Sequence, residues 1–126
     1  HYNSCNVLSL HALLGAYSDE GAQWLDELLP VLADNIRYAC DFIAAHFPGV
    51  QVMQPQGTYM LFLDCAAWLQ EHHMTLRELE ERGARAGVIW QDGAAFAWPD
   101  SIRMNLALPH SRLVEAMERL RVHAFC

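Results

Sequence analysis

The sequence of 126 residues contains no lysine, so its eight Lys and Arg positions are all arginine. Its 15 aspartates and glutamates outnumber them, and the formal net charge is −7. An acidic chain with scattered arginines lacks the basic surface that binds a phosphate backbone, which argues against nucleic acid as a partner. No apolar run is long enough to span a bilayer and no signal-peptide pattern is present, so we expect no membrane association.

Cysteine is sparse, and its distribution argues against a disulfide framework. The four cysteines lie far apart in the sequence and form no Cys-x-x-Cys pair. They are Cys5, Cys40, Cys65 and Cys126. This usage is typical of reduced, mostly buried thiols, and it predicts a cytoplasmic protein.

The motifs of several common sites are also missing. The sequence has no Gly-x-Ser-x-Gly elbow and no phosphate-binding loop with its lysine. The side chains of the adjacent His72 and His73 point apart, so this pair predicts a solvated loop and no metal site. No catalytic residue is therefore predicted in this chain.

The composition that is present indicates a globular protein. With 53% hydrophobic and 18% charged residues, the sequence predicts a single domain over 1–126. A small domain with this much apolar sequence is expected to leave some apolar surface exposed, and that surface would pack against another part of a protein. The chain begins with His1 instead of methionine, so we expect a fragment or a processed product.

Hydrophobic periodicity and turn signals predict five helices and four strands. In chain order these are helices 6–17 and 20–46, strands 50–53 and 58–63, helices 65–71 and 75–86, strands 88–90 and 102–106, and helix 111–125. Asn3 or Ser4 is predicted to cap the first helix, and Pro30 to bend the second. The strand 58–63 is nearly continuous in apolar residues, which predicts burial on both faces. The predicted class is an α/β (α+β) two-layer sandwich, with a small mixed sheet of about four strands packed on helices.

One arginine stands out in this pattern. Arg103 lies among apolar neighbours in the predicted strand 102–106, after a loop that contains Gly93 and Phe96. The planar guanidinium matches a carboxylate two-on-two and stays charged, so Arg103 is a candidate anchor for a small carboxylate. The alternative is an ordinary surface charge or the partner of a nearby carboxylate. The candidate partners are Asp92, Asp100 and Glu115.

Several motifs of the chain occur together in one known family. They are Gly15-Ala16-Tyr17, Trp24-Leu25-Asp26-Glu27-Leu28-Leu29-Pro30, Asn35, Gly57-Thr58-Tyr59-Met60-Leu61-Phe62-Leu63-Asp64, Gly93, Phe96 and Ile102-Arg103-Met104-Asn105-Leu106-Ala107. In this order they resemble the C-terminal small domain of fold-type I pyridoxal-phosphate enzymes. The residues of these motifs are most similar to those of the class I/II aminotransferases, and among these to the cystathionine β-lyase-like C–S lyases.

The resemblance implies specific roles for four residues. Arg103 would bind the α-carboxylate of an amino-acid substrate, and Asn105 would support its strand. Gly93 and Phe96 would form the loop beside the substrate. Ala97 stands where the family often has glycine, which makes the loop conformation a point to test.

The resemblance also implies what lies outside the chain. Pyridoxal phosphate would belong to a parent enzyme with a missing large domain. Because this chain has no Schiff-base lysine, no cofactor and no activity are expected in the fragment alone. A homodimer is possible, as family members are usually dimers, and the reaction could be transamination or β-elimination. The alternative is a free-standing, non-catalytic small-molecule-binding or interaction module.

Overall fold

The structure, a computed structural model, describes residues 6–126. The chain forms two compact units, one up to Val31 and one from Leu32 to Cys126. The elements in order are α1 (Val7–Ala16), α2 (Asp19–His46), β1 (Gln51–Val52), β2 (Met60–Asp64), α3 (Ala66–Glu71), α4 (Leu76–Arg85), β3 (Gln91–Asp92), a 3₁₀ turn (Gly93–Phe96), β4 (Ser101–Asn105) and α5 (His110–His123). The prediction of a single domain over 1–126 stays a prediction.

The first unit consists of α1 and the beginning of α2. Asn6 caps α1, because its Oδ1 accepts a hydrogen bond from the Ser9 amide at 2.8 Å. The predicted caps, Asn3 and Ser4, lie outside the described residues. No residue of α1 is buried, although half of the helix is leucine or valine. An apolar helix with no buried side normally packs against more protein than this unit provides.

The second unit is built around an antiparallel sheet with the strand order β1-β2-β4-β3. All three strand pairs are antiparallel, so the sheet is not mixed as the sequence suggested. For the two outer pairs the physical reason is the connections, because short loops join β1 to β2 and β3 to β4, and only antiparallel neighbours can be joined so directly. The two-layer α/β class and the four strands are confirmed.

The two faces of this sheet have different surroundings. Leu61 and Leu63 of β2 and Ile102 and Met104 of β4 are buried in the core. The helices that cover them contribute Ala39, Ile43, Trp68, Leu79, Leu113, Met117 and Leu120. We call this the inner face, and the opposite one, which contains Phe62 and Arg103, the outer face.

The prediction that the strand 58–63 is buried on both faces was wrong. Phe62 on the outer face is 37% exposed, whereas Leu61 and Leu63 on either side of it are fully buried. The helices cover only the inner face, so the continuous apolar run has solvent on one side. An apolar strand face left open in this way indicates a surface that contacts something else.

The third strand lies later in the chain than predicted, at Gln91–Asp92 instead of 88–90. Gly87 takes the left-handed conformation that ends α4, with φ of 80°, and the Val88 amide bonds to the Gly83 carbonyl at 2.9 Å. Trp90 packs so closely over Gly83 that an added Cβ there would lie 2.3 Å from its ring. Residues 88–90 are therefore used to close the end of α4, and sheet pairing begins only at Gln91.

A capping box formed by Thr75 and Glu78 starts α4. Thr75 Oγ1 accepts from the Glu78 amide, and the Glu78 carboxylate accepts from the Thr75 amide at 2.8 Å. The bonds that the Thr75 amide and then the Thr75 hydroxyl donate to the Glu78 carboxylate lower the pKa of Glu78, because they favour its charged form. Among the described residues, no helix combines the length and hydropathy that crossing a membrane requires.

Candidate functional site

Arg103 lies in the middle of the outer face, half-buried on β4. Its Nη1 donates a hydrogen bond to Gln91 Oε1 at 2.7 Å. Its Cζ lies 4.7 Å from the centroid of the Phe96 ring, which in turn meets Phe62 edge-to-face at 5.5 Å. The guanidinium is thus held by a neutral amide on β3 and an aromatic ring below it, and neither contact neutralises its charge.

None of the three carboxylates considered as partners pairs with Arg103. Asp92 accepts from the Ala94 amide at 2.7 Å and so caps the 3₁₀ turn. Glu115 pairs with two arginines of its own helix, and Asp100 forms no ion pair within residues 6–126. The interpretation of Arg103 as an ordinary ion-paired charge is therefore not supported.

Arg103 differs in this respect from most arginines of the chain. Within residues 6–126, six of the eight arginines form an ion pair with a carboxylate, and Arg82 and Arg103 do not. Arg82 lies in the last turn of α4, where the negative end of the helix dipole compensates a cation. Arg103 lies on a strand, which has no comparable dipole, so its charge is available to an external anion.

Gly93 fixes the loop that presents Phe96. It is buried at the start of the 3₁₀ turn, and an added Cβ would lie 1.8 Å from Ser101 Oγ. Ser101 Oγ donates to the Trp98 carbonyl at 2.7 Å, which ties the loop to β4. Only glycine fits under this hydroxyl, so Gly93 has a steric role in shaping the loop.

Ala97, the departure noted in the sequence, occupies a left-handed position with φ of 59°. Glycine adopts this conformation at lower cost, which accounts for its frequent use at such a site. The Ala97 amide nevertheless bonds to the Ala94 carbonyl at 3.0 Å and the Trp98 amide to the Gly93 carbonyl at 3.2 Å. The loop therefore closes with alanine in place.

Asn105 lies on the outer face two residues beyond Arg103. Its Oδ1 accepts from the Ala107 amide at 2.8 Å, where β4 ends. This local bond shapes the exit of the strand and makes no contact with Arg103. The four residues singled out from the sequence lie on one strand and its preceding loop, with Phe96 in contact with Arg103.

Two contacts of Arg103 were missed by sequence reasoning. Gln91 was placed after a strand at 88–90, and only the observed register, which pairs Gln91 with Arg103, brings them together. Phe62 is paired with Arg103 across β2 and β4. The only sequence signal for Phe62 was the apolar run 58–63, which predicted burial on both faces of the strand.

Asn35, a motif residue of the resemblance to which no role was assigned, anchors the end of β4 to α2. Asn35 is fully buried, and its Nδ2 donates to the carbonyls of Leu106 and Leu108 at 2.9 Å each. Its Oδ1 can only accept, so His110 Nδ1, 2.9 Å away, carries the proton between them. A lone asparagine beside an apolar helical stripe was the available signal. This network fixes where the strand that carries Arg103 ends.

Two concave regions flank Arg103 and the aromatic pair. One, of about 440 Å³, is lined by Arg103, Gln91, Asn105, Tyr59 and Trp90. The other, of about 400 Å³, is mainly apolar and includes Phe62, Phe96 and Trp98. A ligand on the outer face would therefore meet one cation and two adjoining hollows.

The described residues supply no nucleophile or metal centre at this site. Burial raises the pKa of the Cys65 thiol to about 12, and the Asp64 and Asp100 carboxylates add to the effect. No group of three or more metal-binding side chains occurs in the part of the chain that the structure describes. The chemistry that the arrangement offers is recognition of an anion.

Comparison with known proteins places this geometry in a family. No family model matches the chain. It is 35% identical over 118 residues to cystathionine β-lyase of Corynebacterium glutamicum, covering 91% of this chain and 30% of that protein. The chain spans about 30% of the length of the curated relatives it matches.

Solved structures agree with these relatives. A pyridoxal-phosphate-bound protein of Clostridium difficile 630, assigned as an aminotransferase, superposes with a TM-score of 0.86 and 31% identity, over 99% of this chain and 32% of that one. The pyridoxal-phosphate-bound C–S lyase of Staphylococcus hominis gives a TM-score of 0.84 and 25% identity, over 97% and 32%. The chain belongs to the family of pyridoxal-phosphate-dependent aminotransferases and C–S lyases, and its fold is that of their C-terminal domain.

Proposed function

We propose that this chain is the substrate-carboxylate-binding domain of a pyridoxal-phosphate-dependent aminotransferase or C–S lyase that acts on amino acids. The observation that carries the proposal is the half-buried guanidinium of Arg103 on the open face of the sheet. It forms no ion pair within the described residues, and its neighbours are neutral. Such a group binds a carboxylate with two parallel, charge-assisted hydrogen bonds.

The remaining residues of the site would orient this anchor. Gln91 occupies Nη1 of Arg103, which leaves the other guanidinium donors for a substrate. Phe96 limits movement of the guanidinium on one side, and Gly93 allows the loop to lie close to Ser101. A guanidinium held in one orientation reduces the entropy that is lost when a substrate binds in a reactive orientation.

The cofactor would be held outside this chain. Pyridoxal phosphate supplies the electron sink for chemistry at the α-carbon of an amino acid. The chain contains no lysine, so its own residues cannot form a Schiff base with the cofactor. The missing large domain would provide this group and would decide between transamination and β-elimination. The fragment alone would be inactive.

The expectations about partners and compartment remain part of the proposal. The exposed leucines of α1 support a covering body such as the large domain, and a homodimer stays a prediction. The free thiols of Cys40, Cys65 and Cys126 support a reducing, cytoplasmic compartment.

A free-standing, non-catalytic module is the second candidate. The absence of lysine favours it. Turnover separates the two proposals, because the full-length protein with pyridoxal phosphate would convert amino acids under the first proposal only. Under both, the 126-residue chain with added pyridoxal phosphate gives no turnover above the background of the cofactor.

The test of the carboxylate anchor is Arg103→Lys in the full-length protein. Lysine keeps the charge and loses the two-pronged fork, so the Michaelis constant for amino acids should rise roughly tenfold or more. Arg77→Lys is the matched control, since Arg77 is exposed on α4 and pairs with Glu81. An unchanged Michaelis constant in Arg103→Lys would remove Arg103 from the site.

A further inference from the structure

The apolar hollow of about 400 Å³ beside Phe96 has a composition that bears on substrate choice. Its apolar walls are Val52, Met53, Phe62, Phe96 and Trp98. Met53 is 79% exposed, and the rings of Phe96 and Trp98 are about half exposed. We call this hollow the aromatic groove. Apolar side chains exposed together, instead of singly, mark a binding surface.

The aromatic groove adjoins the carboxylate anchor directly. The Phe96 ring lies 4.7 Å from Arg103 Cζ on one side and forms the wall of the groove on the other. Phe62, its edge-to-face partner, is paired with Arg103 in the sheet and also lines the groove. A small molecule whose carboxylate binds Arg103 therefore has apolar walls within the reach of its side chain.

The charges around the groove distinguish between kinds of side chain. Its remaining lining residues are Gln51, Asp64 and Ser101, so the only charged one is a carboxylate. Among the described residues, no arginine lines the groove, and Arg103 is the only arginine in the strands of the sheet. A second carboxylate on the ligand would meet Asp64 without a cation to compensate it. The groove thus disfavours acidic side chains as well as favouring apolar ones.

We propose that the aromatic groove binds the substrate side chain and selects amino acids with uncharged, apolar side chains over acidic ones. This inference rests on the proposed role of Arg103. It makes Trp98 and Phe62 determinants of specificity, whereas Arg103 serves every amino acid alike.

The experiment uses ligands that lack the amino group, so that they bind without reacting. Binding of 3-phenylpropionate and of succinate to the full-length protein is measured by calorimetry. We expect 3-phenylpropionate to bind at least roughly tenfold more tightly, the usual scale for filling an apolar pocket. Trp98→Ala should reduce this preference by about fivefold or more with little change in succinate binding. Its backbone bonds to Gly93 and Ser101 remain available, so the loop can keep its shape.

A second variant tests the charge argument by a gain of binding. Gln51→Arg places a cation beside Asp64, its cross-strand neighbour, and so compensates the carboxylate that repels an acidic ligand. Succinate binding should strengthen by about tenfold, which unfolding cannot mimic. Gln56→Arg is the matched control, because Gln56 is also exposed but does not line the groove. It should leave the affinities of both ligands unchanged.

The outcomes separate this inference from the proposal on which it rests. If Arg103→Lys weakens both ligands while succinate binds as tightly as 3-phenylpropionate, the anchor stands and the groove assignment is overturned. The groove assignment is also overturned if Trp98→Ala leaves the preference for 3-phenylpropionate over succinate unchanged. It is overturned as well if Gln51→Arg strengthens succinate binding no more than Gln56→Arg does. If Arg103→Lys changes neither affinity, the anchor itself fails.

Discussion

The inner and outer faces of one sheet show how consecutive residues of a strand take different tasks. On β4, Ile102 and Met104 point into the core, and Arg103 between them points to the open side. On β2, Leu61 and Leu63 are fully buried, and Phe62 between them is 37% exposed. Side chains alternate across a strand, so a single strand can stabilise the fold and present a binding group.

The difference between the two faces separates stability from binding. Residues of the inner face should control stability and have little direct effect on ligands. Residues of the outer face should control binding and cost little stability. Substitutions and labelling on the two faces test that separation, beginning with the largest effect.

The largest expected contrast is between the thiols of Cys65 and Cys126. Cys65 is fully buried with a pKa of about 12, whereas Cys126 is exposed. Because only the thiolate reacts, native Cys65 should be labelled by a thiol reagent at least roughly a thousandfold more slowly than the unfolded chain. Mass spectrometry of the labelled protein measures this, with Cys126 as the internal reference. Equal labelling of the two cysteines at neutral pH would show that the core around Cys65 is accessible to the reagent.

The next contrast is a pair of neighbouring truncations on β2. Leu63→Ala removes a core side chain and should lower the free energy of unfolding by about 3 kcal/mol. Phe62→Ala should cost less than about 1.5 kcal/mol, because the ring is already partly in water. Urea unfolding measures both values. Equal losses would mean that the outer face is packed as tightly as the core.

Asn35→Ala tests the link between α2 and the strand that carries Arg103. Two carbonyls would lose their donor in a buried position, so the expected loss of stability is about 2 kcal/mol. Asn105→Ala, which removes one exposed local bond, should cost less than about 1 kcal/mol. Thermal and urea unfolding of both variants compare them. A stable Asn35→Ala protein would indicate that water replaces the amide.

The smallest expected effect on stability belongs to Gln91→Leu. The bond from Arg103 Nη1 is on the open face, so unfolding should change by less than about 0.5 kcal/mol. Carboxylate binding in the full-length protein should weaken by about threefold to tenfold, since the guanidinium loses one of its orienting contacts. Gln91→Glu should weaken it further by pairing with Arg103. Unchanged binding in both variants would show that Gln91 does not orient Arg103.

Much of the fold could be predicted from local sequence signals. The long helix α2, the capping box of Thr75 and Glu78, the left-handed Gly87 and the strand that carries Arg103 all follow from short-range preferences. These features depend on neighbours within about one helical turn or one strand. For the same reason the loop with Gly93 and Phe96 could be recognised before its geometry was known.

The features that the sequence patterns did not predict depend on long-range pairing. The antiparallel direction of every strand pair, the exposure of Phe62 and the later start of β3 depend on which elements become neighbours. Asn35 and Leu106 are 71 residues apart, so no local pattern predicts their hydrogen bond. Gln91 contacts Arg103 because of the register between β3 and β4. The start of β3 in turn depends on the packing of Trp90 over Gly83 of α4.

The sequence by itself determined the helices, three of the four strands and the presence of a candidate anchor at Arg103 in a chain without lysine. The tertiary structure decided that this anchor has a neutral amide and an aromatic ring as neighbours, and that an apolar groove adjoins it. The reason is physical. Local preferences fix how each segment folds, whereas the surroundings of a charge depend on which distant residues the packing of the sheet and helices brings beside it.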